Sequence, residues 1–301
     1  MIKWLKCIIA LAAVLAVQPA FAALNILACE PEWGALAKEL GGDKVSIYVA
    51  TNAMQDPHHI QARPSLMARA RNADLVVCTG AELEIGWLPL LQTQSGNPKI
   101  QTGQPGYFEA SRYVAKLEVP QRVDRAQGDV HPGGNPHIQL SPYNIEKVAA
   151  ALAERMAQLD SGDAAYYQAR AKAFLDRWKQ AITKWEKEAA PLKGMTIVAY
   201  HKNLSYLNAW LGIKEVGELE PKPGLPPTTA HLSELLAQLA KTPAKAVVSA
   251  AYNDSRAGEW LAERAKIPAV TVPFTVGGTD KAQDLFSLYD DTLTRLLAVA
   301  K

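Results

Sequence analysis

Apolar residues along this chain alternate between two rhythms. Short, continuous apolar runs rich in Val, Ile and Leu have the character of strands buried on both faces. Between them lie stretches whose apolar residues recur every three or four positions, as they do on one side of a helix. The first cycle predicts strands over 24–28, 45–50, 75–78 and 99–102, with helices over 32–40, 64–72 and 84–91. From Gly194 the pattern restarts, with strands over 196–200, 215–219, 246–250 and 269–272 and helices over 204–210, 230–239, 255–265 and 281–300. Regular alternation of strand and helix is the signature of parallel sheets with helical crossovers. The expected fold class is therefore α/β, with two doubly wound parallel-sheet lobes.

A different pattern joins them. Over 163–190, Tyr167, Ala171, Phe174, Trp178, Ile182 and Trp185 fall at helical spacing, with no Gly or Pro before Pro191. One helix of that length measures roughly 40 Å, enough to connect two lobes and to resist the hinge motion that flexible crossovers allow. Its aromatics read as packing residues. The expected organisation is a leader over 1–22, an N-terminal lobe over 23–160, a connecting helix over 161–192 and a C-terminal lobe over 193–301.

The leader changes the picture of where the protein works. Lys3 and Lys6 form a basic start, 8–17 is apolar and Ala20-Phe21-Ala22 is a small-x-small cleavage site, as in a secretory signal peptide. The apolar run is shorter than the roughly 20 residues of a membrane span, and no Cys follows the cleavage site for a lipid to modify. A soluble, exported protein is expected. The chain carries 32 Lys and Arg against 30 Asp and Glu, and losing Lys3 and Lys6 balances them, so there is no electrostatic reason to bind nucleic acid or an anionic membrane. Cys7 leaves with the leader. Cys29 and Cys78 each follow an apolar run, and in an oxidising compartment they either pair or serve as two buried small hydrophobes.

Candidate chemistry lies in three histidines at wide intervals: Asp56-Pro57-His58, Asn135-Pro136-His137 and Ala199-Tyr200-His201. Neutral imidazole is a good ligand for zinc and other transition ions, and three with one further donor complete a tetrahedron. His58 and His201 follow predicted strands, where open α/β sheets bind ligands, and His137 precedes the helix expected from Pro142. His59 reads as a surface neighbour or a donor that supports a ligand, His131 as a loop residue near the entrance or else a ligand or relay, and His231 as an ordinary helix position.

The order of several motifs carries a resemblance. Asp56-Pro57-His58 is followed by Arg63-Pro64-Ser65, then Asn72-Ala73-Asp74-Leu75-Val76-Val77 with Gly80 and Glu84, then Gly134-Asn135-Pro136-His137 with Ser141-Pro142, then His201 with Tyr206. The chain resembles, over essentially its whole length past the leader, the zinc- or manganese-binding receptors of ABC importers, built from two α/β lobes on one backbone helix. The resemblance implies a periplasmic, monomeric receptor and not an enzyme. It also implies His58, His137 and His201 as metal ligands, Zn(II) or alternatively Mn(II) as cargo, and an importer permease as partner. Relatives usually add a carboxylate after the last strand, but 272–278 offers an apolar residue there, Val276. Asp280 or water is then the expected fourth donor, with Glu30 and Asp254 as weaker candidates.

Three imidazoles favour zinc over manganese, which prefers more oxygen donors. The long His-rich acidic loop of many zinc receptors is absent, since 118–131 holds one histidine. A zinc hydrolase uses a similar ligand set, but the chain contains neither a His-Glu-x-x-His helix nor a Gly-x-Ser-x-Gly elbow. The proline-rich segment 220–227 reads as a stiff loop, either a permease contact or a simple connection.

Overall fold

The computed structural model describes residues 23–122, 128 and 130–300. The expected leader, with Cys7, lies outside the described residues. Two four-stranded parallel sheets share one plan. In the first, β1 (Leu24–Ala28), β2 (Val45–Val49), β3 (Leu75–Cys78) and β4 (Tyr107–Glu109) lie in the order β2-β1-β3-β4. In the second, β5 (Thr196–Ala199), β6 (Lys214–Glu218), β7 (Ala246–Ala250) and β8 (Ala269–Val272) lie in the order β6-β5-β7-β8. All strand pairs are parallel. The chain reverses direction across each sheet beside its first strand, and that is where such sheets open a crevice at their carboxyl ends.

The helices are α1 (Pro31–Gly41), α2 (Pro64–Arg71), α3 (Leu88–Ser95), α4 (Pro142–Leu159), α5 (Ala164–Ala189), α6 (Ser205–Leu211), α7 (Thr229–Leu239), α8 (Ser255–Ala265) and α9 (Leu285–Val299). Three expectations are corrected. The strand placed at 99–102 is a single 3-10 turn, Pro98–Ile100, because Pro98 has no N–H to give a ladder and the Asn97 side chain accepts from Lys99 N. The edge strand is instead Tyr107–Glu109, in register with Val76–Cys78. The helix placed at 84–91 starts only at Leu88, since Ala81 and Glu82 adopt positive φ and Glu84 spends its carboxylate on Thr79 N and Gly80 N. The last helix starts at Leu285 rather than 281, where Asp284 and Ser287 form a capping box.

The 26-residue α5, roughly 40 Å long, buries the stripe expected of it: Tyr167, Ala171, Phe174, Trp178, Ile182 and Trp185. Trp178 stacks against Phe174 and meets Trp185 and Tyr289 edge-on. Its indole N–H donates to Pro142 O, and that of Trp185 donates to Asp290 Oδ1. Each lobe has a core of its own only on its outer face, where Leu27, Val76 and Trp87 form one cluster and Val198, Val247 and Leu261 another. The inner faces share one core that runs from Ile26 and Val77 through α4, α5 and α9 to Ile197 and Val248. Close packing leaves no slack at Gly42, where φ is +55° and a Cβ would stand 2.3 Å from the Tyr166 hydroxyl on α5.

Candidate metal centre

The three histidines singled out in the sequence meet between the lobes. One ring nitrogen from each of His58, His137 and His201 lies within 4.8 Å of the others. Ring centres are 5.4 Å apart for His58 and His137, 5.7 Å for His58 and His201, and 5.3 Å for His137 and His201. His58 sits on the loop between β2 and α2, His137 before α4 and His201 just after β5.

A local device explains why two of the motifs read acidic-or-amide, proline, histidine. Asp56 Oδ1 accepts from both the backbone N–H and the Nδ1 of His58, at 3.0 and 2.7 Å. Asn135 Oδ1 does the same for His137, both at 2.9 Å. The Asn135 amide is oriented by acceptors on its other side, since Nδ2 donates to Glu118 Oε2, Lys202 O and Ser205 Oγ. For His201 the equivalent oxygen comes from farther along the chain: Glu220 Oε2 lies 2.7 Å from Nδ1 and also accepts from Gly224 N.

With Nδ1 as the donor, Nε2 keeps its lone pair. In His58 and His137 that atom is buried and has no hydrogen-bond partner among the described residues. A buried acceptor left in that state is costly unless something else engages it. Oxygen partners on Nδ1 with Nε2 turned to a common point is how imidazoles are oriented for a metal. His137 is 1 % exposed. Burial first, then the charges of His201, His58 and His131, hold its pKa well below the ordinary histidine value, so it is neutral and able to donate to an ion at neutral pH. Burial works to raise the Asp56 carboxyl, but the hydrogen bond and charge of His58 hold it below its usual value.

Other candidates fall elsewhere. Asp280 is exposed between β8 and α9, outside the histidine group, and its carbonyl accepts from Gln283. Val276 is half-buried against the shared core. Asp254 is the exposed N-cap of α8, paired with Arg256. His59 is exposed, and His231 sits in the first turn of α7 with Nε2 2.9 Å from Glu218 O. Glu30 belongs to a separate buried group with Glu32 and Glu84. Burial, then Glu84 and Glu32, push Glu30 well above the carboxylate range. Burial pushes Glu32 up to about 7 against the Thr275 hydrogen bond, and Glu84 up to about 7 against the N–H groups of Glu84, Gly80 and Thr79. The Thr275 hydroxyl donates to Glu32 Oε2 across the lobes. Cys29 and Cys78, at the ends of β1 and β3, are joined as a disulfide.

One feature escaped the sequence reading. Glu220 orients His201, although nothing local to either residue marks the pair. His131, half-buried, lies 5.3 Å from His58 and 6.3 Å from His137 between ring centres. Beside these rings a cavity of about 530 Å³ opens among His131, His137, His201, Glu220 and Lys222.

A family model described as "Zinc-uptake complex component A periplasmic" (ZnuA) matches residues 26–299. The chain belongs to the ZnuA family. ZnuA-family relatives include the manganese ABC transporter substrate-binding lipoprotein scaA of Streptococcus gordonii, 22 % identical over 88 % of this chain and 84 % of that protein. They also include the high-affinity zinc uptake system protein ZnuA of Yersinia pestis, 24 % identical over 79 % of both. Among solved structures, a crystal structure of ZnuA superposes with a TM-score of 0.78 at 20 % identity, covering 93 % of this chain and all of the other. A cadmium-bound periplasmic metal-binding protein from Candidatus Liberibacter asiaticus gives 0.75 at 18 %, covering 92 % and 99 %. The two-lobed ZnuA-like fold is thereby shown, and the family is one of substrate-binding receptors for metal ABC transporters. Zinc and manganese receptors stand at similar distance from this chain.

Proposed function

We propose that this protein is a periplasmic receptor that captures Zn(II) between its lobes and delivers it to the membrane permease of an ABC importer. The observation that carries the reading is the pair of buried, unengaged Nε2 atoms of His58 and His137, whose rings are held by oxygen partners on Nδ1 within reach of His201. His58, His137 and His201 act as ligands, and Asp56, Asn135 and Glu220 orient them. The working units are the lobes 23–160 and 193–301 on the connecting helix 161–192, with the protein acting as a monomer after its leader is removed. Among the described residues no helix is long and apolar enough to cross a membrane.

Zinc is favoured because the donors brought together are nitrogens, which suit zinc better than manganese. A manganese receptor is the second reading, supported by relatives such as scaA. The test is metal analysis of the mature protein after stripping and reloading from equimolar zinc and manganese, beside a variant carrying His58→Ala, His137→Ala and His201→Ala. One zinc per chain in the wild type and none in the variant is expected. Retained manganese would move the reading to the second, and metal-dependent hydrolysis lost with His58→Ala would replace both with an enzyme.

A further inference from the structure

The carboxylates nearest the three rings are already committed. Asp56 is taken by His58, Glu220 by His201 and Gly224, and Glu118 by Asn135 and Ser205. The fourth ring nearby is His131. In a tetrahedral ion site with Zn–N bonds of roughly 2 Å, the centres of imidazoles on neighbouring vertices lie about 5 Å apart. The three pairs among His58, His137 and His201 have that spacing, and so does His131 from His58, at 5.3 Å. From His137 it stands about one ångström farther, at 6.3 Å, and like Asp280 it stands outside the trio whose ligand atoms lie within 4.8 Å of one another, so its ring has to move to reach the ion. His131 is also tied to the same backbone unit as His137: its carbonyl accepts from Gly134 N, whose φ of +97° closes a tight turn leading into Asn135 and His137. His59, by contrast, is exposed and its ring lies 6.2 Å from His58.

We propose that His131 is the fourth ligand, closing on the captured ion as an imidazole in place of the carboxylate or water expected from Asp280 or solvent. This rests on the three-histidine capture reading above. It deepens that reading by making the site all-nitrogen, a donor set that selects zinc, cobalt, nickel or copper against manganese.

Cobalt(II) is the probe, because its visible d–d absorption is strong in four-coordinate sites and weak at higher coordination. Wild type, His131→Ala, His131→Gln, His59→Ala and His58→Ala, each checked for wild-type thermal unfolding without metal, are titrated with Co(II) and then competed with Zn(II) and Mn(II). Wild type and His59→Ala are expected to bind one cobalt with an intense spectrum. Both His131 variants are expected to bind one cobalt with a weakened spectrum, partly restored by added imidazole. They should also lose about tenfold or more in zinc affinity while manganese affinity changes little. Wild-type spectra and affinities in both His131 variants would overturn the assignment while leaving the capture reading intact. Cobalt binding that survives in His58→Ala, or is absent from wild type, would overturn the capture reading and this one with it.

Discussion

At the scale of single residues, the Asx-Pro-His unit does two jobs with one oxygen: it closes a turn on the histidine N–H and fixes the ring through Nδ1. Removing that oxygen leaves the histidine in place but free to rotate. Asp56→Ala is expected to weaken zinc binding by about 10- to 100-fold while stoichiometry stays at one ion, as read by competition with a chromophoric chelator. The same unit is why these two histidines stood out in the sequence. Glu220 was not, because its relation to His201 is created by β6 running parallel to β5, and no motif encodes it. Titration is a second residue-scale matter. Glu30, Glu32 and Glu84 have folded pKa values above their unfolded ones, so the native state keeps protons the unfolded chain loses, and stability falls as pH rises from about 4.5 to about 7. His137, with its pKa depressed, has the opposite sign and costs stability as pH drops below about 6.5. Glu32→Gln should flatten the fall of apo-protein melting temperature between pH 5 and 7.5; an unchanged slope would mean Glu32 ionises normally.

At the scale of elements, α5 and the disulfide are the parts whose loss should be felt most. Trp178 is fully buried among aromatics and donates a hydrogen bond, so Trp178→Ala is expected to cost about 3–5 kcal/mol in urea unfolding. The Cys29–Cys78 link closes a loop of sequence separation 49. Chain-entropy reasoning gives about 4 kcal/mol for it, checked by comparing oxidised protein with the Cys29→Ala, Cys78→Ala pair. Two of the three elements misread from sequence share one cause. The Pro98–Ile100 turn and the delayed start of α3 are set by side chains that compete for backbone groups, Asn97 at Lys99 N and Glu84 at Thr79 N and Gly80 N. Apolar periodicity carries no record of such competition. The α5 stripe, by contrast, was readable at every position because burial alone decides it.

At the scale of the molecule, the lobes are not independent bodies. Their inner faces share a core through α4, α5 and α9. They are also tied near the histidines, where the Tyr206 hydroxyl donates to Asn135 O and accepts from Leu117 N. Unfolding without metal should therefore be a single transition by fluorescence and circular dichroism; two separated transitions would show that each lobe is stable alone. Under the proposed capture reading, metal release in such a frame is expected to proceed by movement of the segments bearing His58 and His201 rather than by the lobes swinging apart. The donors come from both sheets, and His201 follows β5, well past the middle of the chain. Under the proposed export and capture reading, a chain threaded through an export channel N-terminus first would not yet have brought that ring to its partners and would leave the cell as an incomplete chelator. The exporting cell would then lose little of its own metal in making the protein that collects it outside.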